Sequence, residues 1–509
     1  MKKVLIILIL FLSSCAYVDS IALDFNYALN AANTRRENIR DYSWPTLEEV
    51  IALSYYSNNI PLNYSYNLSN RFFHTIQYNI PRASAGSIFI NNAIKDVYKF
   101  FNELRFSYVR YTLLGGDETF LPIRDKIIEE IKSTYDEKIP IRQLSNLLHL
   151  YLTDTINNWH FILGSSYVVR RYIRFSNDYY RFGRNELGYF YNLSNSYIVS
   201  KVYGHSKNDI FRIFLDSEGE LFYSFFINYF RGDRQIPFSE PYKLTIIYDN
   251  GTYKDIYLKR HIVRATHNPR TFTDFSNQIP IVTSSGFMSI EEQLDFSLTA
   301  FEVREEPIII LDLRSHGGGH PEVFYLWQYI VLGDFNFLNS MNSRSGLYPR
   351  SHIRNLIIRT PNGTSPPPAS FVSRIDQNIN LSINGHDIRG FADVNLANIR
   401  DDKNPLLIVL VDSRTASGGE QSLISILGID NTLVIGNDTW GVFVTHAGNF
   451  LTLPNSGIEF SNINIMPILP PELTRFEGRG IPPDVTVTSN TDVLTAVLNL
   501  LERSGRINY

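Results

Sequence analysis

An α/β core is predicted for the C-terminal part of this chain, and three observations predict it. Ile308 to Leu313 and Leu406 to Val411 are unbroken apolar runs of strand length, the pattern of strands buried on both faces. Each run ends in a glycine-bearing turn and passes into a helical pattern, Pro321 to Ile330 after the first and Gly418 to Leu427 after the second. Leu433-Val434-Ile435-Gly436 then supplies a third strand. Strand–loop–helix alternation of this kind puts functional loops at the ends of the strands.

The rest of the chain differs in texture. At 509 residues it exceeds one ordinary domain, which holds roughly 100–200. Residues 25–160 are mostly helical in pattern. A cap region at Ser43-Trp44-Pro45-Thr46 precedes Leu47, Val50 and Ile51, and Ile123 to Tyr135 and Ile141 to Leu152 carry apolar residues at three- and four-residue steps. Residues 165–262 change to short β-branched and aromatic runs. Tyr242 to Tyr248 alternates, Asp249-Asn250-Gly251 supplies a turn, and Tyr253 to Leu258 returns, which predicts a hairpin. Residues 335–400, with Pro361-Asn362-Gly363 and Pro366-Pro367-Pro368, read as an irregular insertion in the core.

Composition narrows the function. A net charge of −4, from 47 Lys+Arg against 51 Asp+Glu, argues against a nucleic-acid binder, which shows a basic excess or stripe. A single cysteine excludes a disulfide framework and a zinc site built on several thiolates. That cysteine closes a segment with Lys2-Lys3, the apolar run Val4 to Leu12, and Ser13-Ser14-Cys15. A positive start and a short apolar run ending in small residues read as an export signal, about half the roughly 20 residues a spanning helix needs. Leu12-Ser13-Ser14-Cys15 resembles a bacterial lipobox, and the resemblance implies a lipid on Cys15 and residence in the cell envelope.

Two strand ends carry the candidate chemistry. Ser417, in Thr415-Ala416-Ser417-Gly418-Gly419-Glu420, falls between a predicted strand and helix. At a helix N-terminus free N–H groups favour negative charge, so the residue suits a nucleophile with oxyanion donors beside it; a capping serine suits the position equally. Gly317-Gly318-Gly319 ends the other strand and either exposes N–H groups or makes a tight turn. His316 and His320 stand four apart, but the intervening glycines break any helix that would put both on one face, and no metal is expected. His316-Gly317-Gly318-Gly319 also resembles the oxyanion motif of lipases, but no Gly-x-Ser-x-Gly elbow accompanies it.

In combination these segments resemble a known family. Ile310-Leu311-Asp312-Leu313-Arg314-Ser315-His316-Gly317-Gly318-Gly319 resembles the "DLRxNxGG" segment of the tail-specific (C-terminal processing) and tricorn-core serine peptidases. Val409 to Asp412 with Thr415 to Glu420 resembles their nucleophile segment, and Phe476-Glu477-Gly478-Arg479-Gly480-Ile481-Pro482-Pro483-Asp484-Val485 their closing segment, all in family order. The resemblance implies Ser417 as nucleophile and oxyanion donors from the N–H groups of Gly418 and of Gly318 or Gly319. Where the Ser/Lys branch has its lysine this chain has Val442, so the dyad is ruled out in favour of the Ser/His/Glu branch. That branch has its glutamate in the closing segment, here Glu477, and in one type an early "DxH" histidine, here His160 in Asn158-Trp159-His160. A core histidine at 160 and a surface carboxylate at 477 are the plainer roles; His316, His320 and His446 are rival bases.

The expected organisation is a lipoprotein signal peptide over 1–14, a helical domain over 15–164, a PDZ-like β domain over 165–262, and a crotonase-like peptidase core over 275–505 containing the 335–400 insertion. The implied activity is cofactor-free hydrolysis of extended polypeptide by a membrane-tethered enzyme; the alternative is an inactive relative that binds peptides or a surface partner.

Overall fold

The computed structural model describes residues 23–43, 68–72, 86–164, 166–168, 172–177, 179–230, 241–261, 272–276, 279–287, 289–332, 405–443, 449–461, 463 and 469–507. Cys15, the predicted helix near Leu47, the 335–400 insertion and His446 lie outside them. Among the described residues no helix is long and apolar enough to cross a membrane.

The chain is a mixed α/β structure around one large sheet. Helix α1 (Phe25–Arg40) starts on Asp24, whose carboxylate accepts the Tyr27 N–H. Among the described residues the next helices are α2 (Ile90–Ser107), α3 (Gly116–Thr134) and α4 (Ile141–Ile156). Asn157 ends α4 at φ 38°, a left-handed residue of the kind that stops helices, and the chain turns at once into strand β1 (Asn158–Leu163). β1 belongs to a five-stranded sheet with Ser166–Val168, Glu459–Ser461, Asn449–Thr452 and Leu68–Phe72.

The β-rich segment supplies β2 (Tyr172–Ser176), β3 (Val199–Val202), β4 (Phe211–Leu215), β5 (Leu221–Phe230), β6 (Tyr242–Tyr248) and β7 (Tyr253–Arg260). β6 and β7 pair with Ile247 opposite Tyr253, the hairpin the alternating pattern predicts. The core adds β8 (Phe272–Ser276), β9 (Ile279–Thr283), α5 (Ile290–Val303), β10 (Ile308–Asp312), α6 (Glu322–Leu332), β11 (Leu406–Val411), α7 (Gly418–Ile426), β12 (Thr432–Gly436), β13 (Val485–Val487) and α8 (Val493–Arg503).

All twelve strands of the main path lie in one sheet, in the order β8-β9-β10-β11-β12-β13-β4-β5-β2-β7-β6-β3. β9 to β13 run parallel, and β13 pairs in parallel with β4, so the β-rich segment extends the core's sheet. The strands' two-residue period divides the apolar residues between two cores. Ile309, Leu311, Leu407, Val409 and Val411 join α2 to α6 on one face. Ile310, Ile408, Leu410, Leu433 and Ile435 join α1, α8 and the inner side of the β-rich segment on the other.

Two buried ion pairs fasten outlying elements to this frame. Arg36 of α1, fully buried, donates to both oxygens of Asp484 just before β13, and Arg35 reaches the same carboxylate at 3.2 Å. Arg212 of β4 pairs with buried Asp438 beyond β12, and Asn228 of β5 donates to the same carboxylate at 2.9 Å.

Candidate active site

β10 and β11 are parallel neighbours in register, so the turns after them are brought side by side. Asp412 stitches them together. Its buried Oδ1 accepts the N–H groups of Ser315 (2.9 Å), Arg414 (2.9 Å) and Thr415 (3.1 Å). The Thr415 hydroxyl donates to the Leu313 carbonyl at 2.8 Å, and the Ala416 N–H donates to the His316 carbonyl at 2.9 Å.

The residue so positioned is Ser417, half-buried, immediately before α7 with φ 52° and ψ −116°. Positive φ at a non-glycine residue costs of order 1–3 kcal/mol, and such strain collects at functional turns. The glycine turn closes over it. Gly318 has φ 114°, and a methyl there would stand 2.8 Å from Ser417 Cβ and 3.2 Å from its Oγ. A methyl on Gly418 would overlap the Gly319 carbonyl oxygen and lie 3.0 Å from the Gly319 nitrogen. Exposed Gly317 has open space where a methyl would go, so two of the three glycines are sterically required and one is not.

The donors around Ser417 are unequal. The Gly318 N–H donates to His316 Nδ1 at 3.2 Å. The N–H groups of Gly319 and Gly418 meet no backbone acceptor among the described residues, and Gly418 is the first residue of a helix, where that is expected. Of the two glycines the resemblance offered as partners for Gly418, Gly319 therefore has the free donor.

Glu420, which the motif reading left without a role, sits three residues into the turn and is fully buried. It accepts the N–H groups of Ser417 (3.2 Å), Gly441 (2.7 Å) and Val442 (2.7 Å) and the hydroxyl of Thr439. Burial pushes its carboxyl up to about 7, against the opposing pull of the Thr439, Val442 and Gly441 donors. The sequence did contain a signal: Ser417-Gly418-Gly419-Glu420 has capping-box spacing. Val442, where the resemblance expects a lysine in the Ser/Lys branch, offers this carboxylate its N–H.

The next N–H along, that of Phe443, donates to Glu477 Oε2 at 3.1 Å. Residues 441–443 thus present three successive N–H groups to two buried carboxylates from different parts of the chain. The Gly478 N–H donates to the Gly441 carbonyl at 2.7 Å, so the Glu477 turn is docked on the same loop.

His160 lies on β1, in the five-stranded sheet and not in the large one, and the Glu477 turn meets the base of that strand. A methyl on Gly478 would stand 2.8 Å from the Asn157 side chain. Asn158, fully buried, accepts the His160 N–H at 2.8 Å, and the Ser461 hydroxyl holds the His160 carbonyl at 2.9 Å. Burial pushes the Tyr108 hydroxyl up to about 12, with Arg110 and Asn158 pulling it down and the Glu477 charge pushing it up. His160 is 7% and Glu477 6% exposed, so the surface carboxylate considered for 477 gives way to a buried one.

The rival histidines separate on the same grounds. His316 is fully buried, its ring edge-on to Phe287 at 4.4 Å, and burial drives its imidazole down to about 3. With Nδ1 accepting from Gly318, the proton of the neutral ring is on Nε2, so it has no free site for a serine proton. His320 stands one residue past the glycine turn and donates its N–H to the Phe287 carbonyl.

No family model matches the chain, and no curated protein matches it. Solved structures similar to it include mature CPAF complexed with lactacystin, at 12% identity and TM-score 0.35, covering 82% of this chain and 97% of that one. A putative peptidase from Parabacteroides merdae is similar at 12% identity and TM-score 0.36, over 83% and 100% of the two chains. The photosystem II D1 C-terminal processing protease is similar at 12% identity and TM-score 0.31, over 78% and 93%.

Proposed function

We propose that the chain is a serine peptidase that hydrolyses extended polypeptides, with Ser417 as nucleophile, His160 as general base and Glu477 as the acid that orients it. The observation that carries this reading is the strained Ser417 turn at the start of α7, with the Gly318 backbone against its side chain and the Gly319 and Gly418 N–H groups free beside it. A capping serine needs none of that strain or that close approach.

In this reading the Ser417 Oγ attacks the scissile carbonyl carbon while its proton passes to His160. The carbonyl oxygen becomes an oxyanion and takes hydrogen bonds from Gly319 and Gly418 N–H. Collapse breaks the C–N bond, and His160 returns the proton to the leaving amine. A water, deprotonated by the same imidazole, then attacks the acyl carbon, and the bond to the Ser417 Oγ breaks as the imidazolium returns that proton to the serine oxygen. Glu477 stabilises the imidazolium in both halves, and Val442, which cannot accept a proton, takes no part in proton transfer. No cofactor enters the reaction.

The finer assignments belong to the same proposal: a crotonase-like core over 275–505, a PDZ-like segment over 165–262, a helical domain over 15–164, and a lipid anchor on Cys15 after a signal at 1–14. The export-signal pattern supports the anchor, and the β6–β7 hairpin supports the PDZ-like segment.

A fluorophosphonate probe tests the reading. It should label Ser417 in the wild-type protein and fail on Ser417→Ala, and His160→Ala should slow labelling. A wild-type protein that resists the probe while degrading no unfolded polypeptide would show the nucleophile assignment to be wrong.

A further inference from the structure

His316, like Asp412, grips both turns of the site. Its own N–H donates to the Leu313 carbonyl at 3.1 Å, its carbonyl accepts the Ala416 N–H at 2.9 Å, and its ring Nδ1 accepts the Gly318 N–H at 3.2 Å. The ring also fills the space over Gly419, where a methyl would stand 2.6 Å from Nδ1. Strand-end backbone before Ser417 therefore rests on the His316 main chain, and the glycine turn and the first turn of α7 on its imidazole.

Stability does not explain the choice of residue. The ring is wholly buried, and Nε2 meets no hydrogen-bond partner among the described residues. A buried N–H without an acceptor carries its full desolvation cost, which an apolar side chain of similar size would avoid. The mechanism gives the ring no proton to carry. What remains is its acceptor nitrogen and where that nitrogen holds the glycine turn.

We propose that His316 is a positioning residue for the oxyanion site: its Nδ1 binds the Gly318 N–H away from the reacting atoms and so sets the 317–318 peptide, from which the next peptide, held at its carbonyl by the Phe287 N–H, presents the Gly319 N–H with that of Gly418 beside Ser417. Without that acceptor the buried Gly318 N–H has no partner in its present orientation, and the 317–318 peptide shifts within a turn otherwise held by main-chain bonds to residues 285–287, from the Gly317 N–H to the Ser285 carbonyl at 3.0 Å and from the Phe287 N–H to the Gly318 carbonyl at 2.9 Å. The inference rests on the peptidase reading and adds a residue to it. It also assigns the ring one tautomer, Nδ1 bare and Nε2 protonated.

The test compares wild type, His316→Leu and His316→Asn on labelled casein as an extended polypeptide, together with the rate of fluorophosphonate labelling at Ser417. Leucine fills the space without an acceptor, and asparagine restores an acceptor oxygen. His316→Leu should lose about 10- to 100-fold in kcat, the scale of a misplaced oxyanion donor, with KM nearly unchanged. His316→Asn should recover most of that loss, which a purely space-filling role would not allow. Wild-type kcat in His316→Leu, or no recovery in a folded His316→Asn, overturns the role of His316 while wild-type labelling leaves the peptidase reading standing. A wild-type protein that neither labels nor cleaves ends both. Should the variants not fold, ¹⁵N-histidine NMR of the wild-type protein decides: a buried ring protonated on Nδ1 contradicts the proposal.

Discussion

Ser417 is where cost and chemistry meet. A residue at φ 52° and ψ −116° is strained by its β-carbon, and glycine would relieve that strain. Ser417→Gly should therefore raise the thermal midpoint relative to Ser417→Ala, while both abolish hydrolysis, with losses on the order of 10³–10⁶ if nucleophile and base act as a unit. Differential scanning calorimetry beside an activity assay checks both halves. The glycines give a sharper contrast. Gly318→Ala drives a methyl to 2.8 Å from Ser417 Cβ and should cost about 100-fold in kcat, while Gly317→Ala, which meets open space, should leave the rate within about twofold. Equal losses in the two variants would mean that the turn acts only through its flexibility. The motif made Ser417 and the glycines legible, because their chemistry is local to a strand end. It did not distinguish Gly317, Gly318 and Gly319, because their difference lies in what faces them from the neighbouring strand's turn.

At the scale of elements, the site is assembled by carboxylates that collect loop N–H groups. Glu420 joins α7 to residues 439–442, and Glu477 joins the closing segment to Phe443. The Glu420 carboxyl, raised from 4.5 to about 7 chiefly by burial, has a definite consequence for pH. Between those two values the native state keeps a proton that the unfolded chain has lost, so this group's contribution to stability is greatest below about 4.5 and is lost as pH rises through about 7. Glu420→Gln should flatten that part of the stability–pH curve, as measured by denaturant unfolding from pH 4 to pH 8. A curve of unchanged slope would mean that the four donors, and not burial, govern this group. The strands themselves were easy to read, since Leu406–Val411 is a six-residue apolar run and buried throughout. Residues 437–443 were not, because an irregular loop has no period and its conformation is set by carboxylates that arrive from elsewhere.

The whole molecule is held together across its sequence. The α1 helix docks on the far side of the sheet through Arg36 and Asp484, 448 residues apart, and α8 covers the same core. Burial pushes the Asp484 carboxyl up, but Arg36 and Arg35 outweigh it and hold the group below its usual 3.8. Its contribution is therefore present above that value and is lost as pH falls through the lower, folded value. Asp484→Asn strands a buried guanidinium and should cost about 3–5 kcal/mol at neutral pH, read from denaturant unfolding. Because β13 pairs with β4 and one apolar core spans both, the β-rich segment and the parallel-strand core should melt in one calorimetric transition. Two resolved transitions would mean that the shared sheet edge carries little of the coupling.

Periodicity and turn chemistry, which are properties of neighbouring residues, determined the parallel-strand core, the hairpin at 242–260 and the location of Ser417 at a strand-to-helix junction. Only the tertiary structure decided that the β-rich segment continues the core's sheet, that His316 is bound to Gly318, that Glu420 and Glu477 share one loop, and that the turn before His160 lies against Gly478. Contacts between residues hundreds of positions apart depend on how strands are ordered and which side chains are enclosed together, and neither leaves a period in the sequence.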